Sequence, residues 1–139
     1  MNINDLIENF ECPLINAIFF PNGEMLVLKN NNEDIRVLCK STIKSFFKYN
    51  DEDWISCFDI LKKYETDNFI INVGEGSFGN DGFVQLNDKT GKLLWFLFLD
   101  NSNPFTEVKL ENDFIEVKST KGITMKIPVY NPEKIYIVK

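Results

Sequence analysis

The stretch GFVQLNDKTGKLLWFLFL, residues 82–99, decides how we interpret the fold. It holds two β-prone runs separated by the turn sequence DKTG (88–91). Such a short connection predicts an antiparallel hairpin. Because the second run is apolar at every position from 93 to 99, we expect it to form a central strand covered on both faces. Trp95 should then belong to the core.

The same pattern extends along the chain in both directions from this hairpin. Turn sequences such as Pro21-Asn22-Gly23 separate further β-prone runs, and Asn-Gly is a strong hairpin signal. The predicted strands are 14–20, 24–29, 34–39, 69–73, 82–87, 92–99, 105–110, 113–119, 122–129 and 134–138. Because the connections are short, neighbouring strands should pair antiparallel.

The middle of the chain predicts the main helix, over residues 51–64. Three acids stand at its start and two lysines near its end, which complements the helix dipole. Trp54, Phe58 and Leu61 follow a helical spacing, so we expect them to pack on the sheet. Residues 41–49 are compatible with a shorter helix or another strand, and we favour the helix.

The opening residues NDLIENF (4–10) predict one or two further helical turns. No linker, repeat or low-complexity tract interrupts the chain. The sequence therefore predicts a single α+β domain over 1–139, mostly antiparallel sheet.

Composition excludes several classes of function. Twenty-one Asp and Glu against fifteen Lys and Arg give a net charge of −6, which argues against a nucleic-acid partner. The chain has no histidine, and so lacks the commonest general base and metal ligand. Cys12, Cys39 and Cys57 form no C-x-x-C pair, so we expect reduced thiols rather than a zinc site or a disulfide framework. We expect no metal and no cofactor.

Nothing in the sequence indicates a membrane or secretory segment. The longest apolar run has seven residues, far short of the ~20 that span a bilayer. The N-terminal segment has no basic residue ahead of its apolar residues, unlike a secretory signal. We expect a cytoplasmic protein with no membrane partner.

Residues 74–79, GEGSFG, match the pattern G-x-G-x-x-G. In a dinucleotide-binding unit this motif opens a helix, whereas here a predicted strand follows. We interpret it as a loop or broad turn whose glycines supply positive φ. Serine and cysteine nucleophiles lack a histidine to activate them, but a Ser–Lys arrangement or a pair of carboxylates remains an alternative.

The C-terminal half carries a family resemblance. The segments are GEGS (74–77), DGF (81–83), LLW (93–95) and DNSNPF (100–105). This series resembles the small immunity proteins encoded beside bacterial polymorphic toxins, including those of contact-dependent growth inhibition systems. The resemblance covers about 74–138. It implies tight, non-catalytic binding to the C-terminal domain of a cognate toxin, often a basic nuclease, inside the producing cell.

The predicted hairpin also suggests where such a partner docks. With the turn 88–91 at one end, residues 74–82 and 100–104 should meet at the other end. The predicted partner-binding residues there are Glu75, Asp81, Asp100 and Asn103. The acids would face lysine or arginine on a basic toxin. The competing interpretation is that they are solvated loop acids and that Asn103 satisfies a turn backbone.

Charge is distributed unevenly along the chain. Residues 1–68 contain twelve acids and seven bases, whereas 69–139 contain nine and eight. The acidic segments 24–34 and 51–67 are therefore the next candidates for an interface. The alternative function is a small carboxylate-dependent hydrolase or ligand-binding protein.

Overall fold

Two antiparallel sheets make up most of the protein, seen here in a computed structural model that describes residues 2–50 and 53–139. The strands are Glu11–Pro13 (β1), Ala17–Phe19 (β2), Glu24–Asn30 (β3), Ile35–Thr42 (β4), Ile55–Glu65 (β5), Phe69–Gly76 (β6), Gly82–Asp88 (β7), Leu93–Leu99 (β8), Phe105–Glu111 (β9), Phe114–Ser119 (β10), Thr124–Pro128 (β11) and Tyr136–Ile137 (β12). The helices are Ile3–Glu8 (α1) and Ile43–Tyr49 (α2), and a 3-10 turn at Pro132–Lys134 precedes β12.

The larger sheet has eight strands in the order β1-β5-β6-β7-β8-β2-β3-β4. The smaller sheet has four, in the order β12-β11-β10-β9. The β7–β8 hairpin is confirmed: Gly82 lies opposite Leu99, and Leu86 lies opposite Trp95. All the pairings are antiparallel, so the predicted α+β fold dominated by antiparallel sheet is confirmed.

The larger sheet is covered by the smaller sheet on one face and by the two helices on the other. This arrangement buries both apolar faces of β8. Trp95 and Leu97 face the smaller sheet, whereas Phe96 and Phe98 belong to the core beneath α1 and α2. The indole Nε1–H of Trp95 donates to the backbone oxygen of Val129, at 2.9 Å. The predictions of a central strand and a buried Trp95 are both confirmed.

Both short helices begin at a side chain that caps their backbone. The Asn2 side chain accepts from the N–H of Asn4 at the start of α1. Thr42 Oγ1 accepts from the N–H of Ser45 at the start of α2. Each helix turns its apolar residues towards the sheet. The N-terminal helical turns and the favoured helix within 41–49 are therefore confirmed.

The predicted helix over 51–64 is wrong, because residues 55–65 form β5. Residues 51 and 52 lie outside the described residues. β5 pairs with β1 through residues 55–57 and with β6 from Phe58 to Glu65. These ladders satisfy the backbone as a helix would, and the run is rich in β-branched and aromatic side chains. Phe58 is buried, whereas Trp54 and Leu61 are exposed and do not form the predicted core face.

Candidate functional site

Four turns meet at one end of the two sheets, and we call them the loop platform. They comprise residues 30–34, 77–81, 100–104 and 119–122. The N–H of Asn103 donates to the backbone oxygen of Asn80 at 2.9 Å, and that of Thr120 donates to Pro104 at 3.0 Å. The sequence prediction that 74–82 and 100–104 lie together is confirmed.

Asparagine side chains hold the platform together. Asn30 Nδ2 donates to Asn32 Oδ1 at 3.0 Å and to Asn101 Oδ1 at 3.1 Å. Asn32 Nδ2 donates to the backbone oxygen of Asn101 at 2.8 Å, and Lys121 Nζ donates to the same oxygen at 3.1 Å. Asn32 adopts φ +68°, a left-handed conformation that asparagine tolerates. The turns are therefore cross-linked rather than independent.

Asp81 has a structural position that sequence reasoning did not foresee. Its side chain is only 1% exposed. Oδ1 accepts from the N–H of Gly76 at 2.8 Å, and Oδ2 from the N–H of Phe78 at 3.4 Å. The expectation of an exposed acid facing a partner is thus corrected: Asp81 closes the β6–β7 turn from inside because two backbone donors converge there.

The glycine motif is explained mainly by close packing. Gly74 and Gly76 lie within β6 rather than in a loop, and each faces a group that a Cβ atom would strike. That group is the backbone oxygen of Asp59 for Gly74 and the Asp81 carboxylate for Gly76. Gly79 does supply positive φ (+81°) in the turn. The motif forms a strand–turn–strand, without the helix of a dinucleotide site.

The other three predicted residues remain at the surface or half-buried. Glu75 is half-buried on β6, directly opposite Asp59 on β5. Asp100 is exposed, and its N–H donates to Asn16 Oδ1 at 2.7 Å. Asn103 adopts φ +67° and uses its backbone in the turn. Its side-chain amide forms no hydrogen bond within the described residues, so the geometry does not show this side chain satisfying a turn backbone.

Sequence reasoning missed two exposed aromatic residues, one in the platform and one beside it. Phe78 is 65% exposed in the turn 77–81, and Trp54 is 48% exposed just before β5. The start of β5 joins this turn, because Ser77 Oγ accepts from the N–H of Cys57 at 2.9 Å. In the sequence, a phenylalanine between serine and glycine in a turn already indicates an exposed aromatic side chain. Trp54 follows a helical spacing with Phe58 and Leu61, and this spacing predicts a core position that the strand β5 does not provide.

The platform carries negative charge that the protein itself leaves mostly uncompensated. Glu33, Asp34 and Asp100 are exposed there, against the single base Lys121. The ion pairs among the described residues lie elsewhere, at Lys89–Glu65, Lys109–Glu111 and Lys109–Glu116. These three platform carboxylates are therefore available to an external cation.

Neither the buried cysteine nor the nearest pair of carboxylates is arranged for catalysis. Burial, followed by the nearby Asp81 charge, raises the pKa of Cys12 well above its ordinary value, which leaves an inert thiol. Glu111 and Glu116 line a cavity of about 280 Å³. Both carboxylates contact Lys109 Nζ, at 3.7 and 3.2 Å, and are thus engaged in ion pairs rather than left as an acid–base pair.

The described part of the chain contains no group of three or more potential metal ligands. Within residues 2–50 and 53–139, no helix has the length and apolarity to span a membrane. Comparisons with protein-family models, curated proteins and solved structures found no match.

Proposed function

We propose that this protein is an immunity protein that binds a cognate bacterial toxin domain through the loop platform and neutralises it by occlusion. The observation that carries the proposal is the pair of exposed aromatic side chains, Trp54 and Phe78, beside uncompensated acids. Large aromatic anchors surrounded by polar groups are typical of the energetic centre of a protein interface. The family resemblance of 74–138 supports the same role, in the cytoplasm of the producing cell.

The acids would act on the rate and specificity of association. A negative surface attracts a basic partner such as a nuclease domain and disfavours acidic competitors. Glu75 and Asp59 lie opposite each other on paired strands, and like charges in that register destabilise a sheet. A lysine or arginine from the partner would relieve this repulsion. Asp100 and Asn103 would complete the polar part of the interface.

The cross-linked turns would favour affinity as well. Binding orders loops and side chains at an energetic cost, and a surface already fixed by hydrogen bonds avoids much of it. The amide network of Asn30, Asn32 and Asn101 provides this fixation.

Co-expression with a toxin tests the proposal. The family resemblance implies that the toxin is the C-terminal domain of a large secreted protein whose gene lies beside the gene for this chain, and such a domain is the partner to co-express. The readouts are cell survival and co-purification. The native chain should protect cells and co-purify. Trp54→Ala combined with Phe78→Ala should weaken binding by ~2–4 kcal/mol or more, as expected when interface anchors are lost.

Tyr130→Ala is the matched control. Tyr130 is also an exposed aromatic residue, but it follows β11 at the end of the molecule opposite the platform. This variant should protect cells as the native chain does. Equal killing with and without the native chain would reject the function, whereas full protection by the double variant would reject only the platform as the interface.

A further inference from the structure

A ladder of three amide side chains crosses β6 and β7 on the helix-covered face of the larger sheet. Asn72 Nδ2 donates to Gln85 Oε1, and Gln85 Nε2 donates to Asn87 Oδ1, both at 3.3 Å. All three side chains are buried, with Asn72 only 6% exposed. Neutral amides in such a position normally have every polar atom paired. This ladder does not.

Asn72 Oδ1 is buried without a hydrogen-bond partner among the described residues. Leaving such an acceptor unsatisfied costs about 1–3 kcal/mol. The ladder lines a cavity of about 440 Å³ at the end of the sheet opposite the loop platform, and this volume is typical of small-molecule sites. Asn72, the residue that carries the unpaired acceptor, therefore belongs to the wall of a ligand-sized cavity.

The cavity wall also includes an aromatic residue held in a strained conformation. Phe10 follows α1 with φ +58°, which is an outlier for so bulky a residue. Its ring is 53% exposed and contacts that of Phe58, with the ring centroids 5.7 Å apart. Strained residues of this kind cluster at ligand clamps. Phe10 thus places an exposed aromatic ring in the same cavity wall as the amide ladder.

The ends of the ladder indicate which ligand fits. Asn72 and Asn87 are diagonal neighbours on paired strands, so their side chains start about 7–8 Å apart. Reversing all three amides would keep both hydrogen bonds and exchange the acceptor end for the donor end. A ligand whose hydroxyl groups are spread around a ring satisfies either arrangement, since each hydroxyl both donates and accepts.

Charge argues for the same class of ligand. The amides are neutral, and the charged side chains that line the cavity, Glu8 and Lys92, have opposite signs. A neutral ligand therefore avoids the desolvation that an ion would suffer there. Apolar contacts are available from Ile7, Ile60 and Leu93. We propose that this cavity binds a neutral saccharide, with its hydroxyls on the Asn72–Gln85–Asn87 ladder and its apolar C–H face on Phe10.

Side-chain amide NMR signals test the proposal directly. Glucose, galactose, mannose, N-acetylglucosamine, maltose and lactose are each titrated to about 50 mM, which detects millimolar dissociation constants. At least one sugar should shift the NH₂ signals of all three ladder residues in a saturable manner. If none of the six sugars shifts them, the proposal is overturned.

Two variants and a control locate the binding. Asn72→Leu removes the buried acceptor and should weaken binding roughly tenfold. Phe10→Asn removes the aromatic ring and should weaken binding several-fold. Because asparagine tolerates positive φ, the melting temperature should not fall. This variant carries the test alone if Asn72→Leu fails to fold. Asn68→Ala, an exposed amide outside the cavity, should leave affinity unchanged. Undiminished affinity in folded Asn72→Leu or Phe10→Asn would contradict the assigned site.

Discussion

Replacing Asp81 by alanine should destabilise the fold, although the residue lies in a surface turn. The substitution removes the acceptor of a charge-assisted hydrogen bond of 2.8 Å and leaves the buried N–H of Gly76 without a partner. Hydrogen bonds to charged groups contribute about 1.5–3 kcal/mol. The second contact, to Phe78 at 3.4 Å, is long and adds little. We expect the free energy of unfolding to fall by about 2–3 kcal/mol.

Equilibrium unfolding in urea measures this loss. With a slope of about 1–3 kcal/mol/M, the midpoint should fall by roughly 0.7–3 M. Asp100→Ala is the matched control, because that acid is exposed on the same platform and its side chain makes no hydrogen bond within the described residues. Its effect should stay within about 0.5 kcal/mol. If the two variants unfold at the same urea concentration, Asp81 does not stabilise the turn.

Two further predictions concern the core. Trp95→Phe keeps most of the buried ring but leaves the Val129 oxygen without its indole donor, so the free energy of unfolding should fall by about 1–3 kcal/mol in the same assay; an unchanged midpoint would contradict this. Burial raises the pKa of Cys12, so its thiol stays neutral in the fold but ionises in the unfolded chain above about pH 8.5. The free energy of unfolding should therefore decline as the pH rises through about 8.5, and less steeply in Cys12→Ala; equal slopes would show that Cys12 makes no contribution.

The sequence alone determined most of the sheet. In the β7–β8 hairpin, a short turn and two β-prone runs leave one local solution, so pairing and burial follow from nearby residues. Both short helices were also predictable, because apolar spacing marks their buried faces. The approach of 74–82 to 100–104 followed from the hairpin itself. In each case the deciding interactions join residues close in sequence.

Only the tertiary structure decided the state of residues 55–65. Their spacing suits a helix as well as a strand, and the choice came from β1 and β6, whose backbones pair with this segment. Propensity is a weak preference that such pairing overrides. As a consequence, Trp54 lies at the surface and not in the expected core.

The burial and the hydrogen-bond partners of the polar residues also depend on the tertiary structure. Asp81 was indistinguishable in sequence from an exposed loop acid, and its burial depends on two backbone donors brought together by the β6–β7 turn. Asn72 and Gln85 meet only because β6 and β7 pair in one register. The cavity beside them is also lined by residues of α1, which are far away in sequence. Sequence specifies each side chain, but burial and hydrogen-bond partners depend on which distant segments the fold brings together.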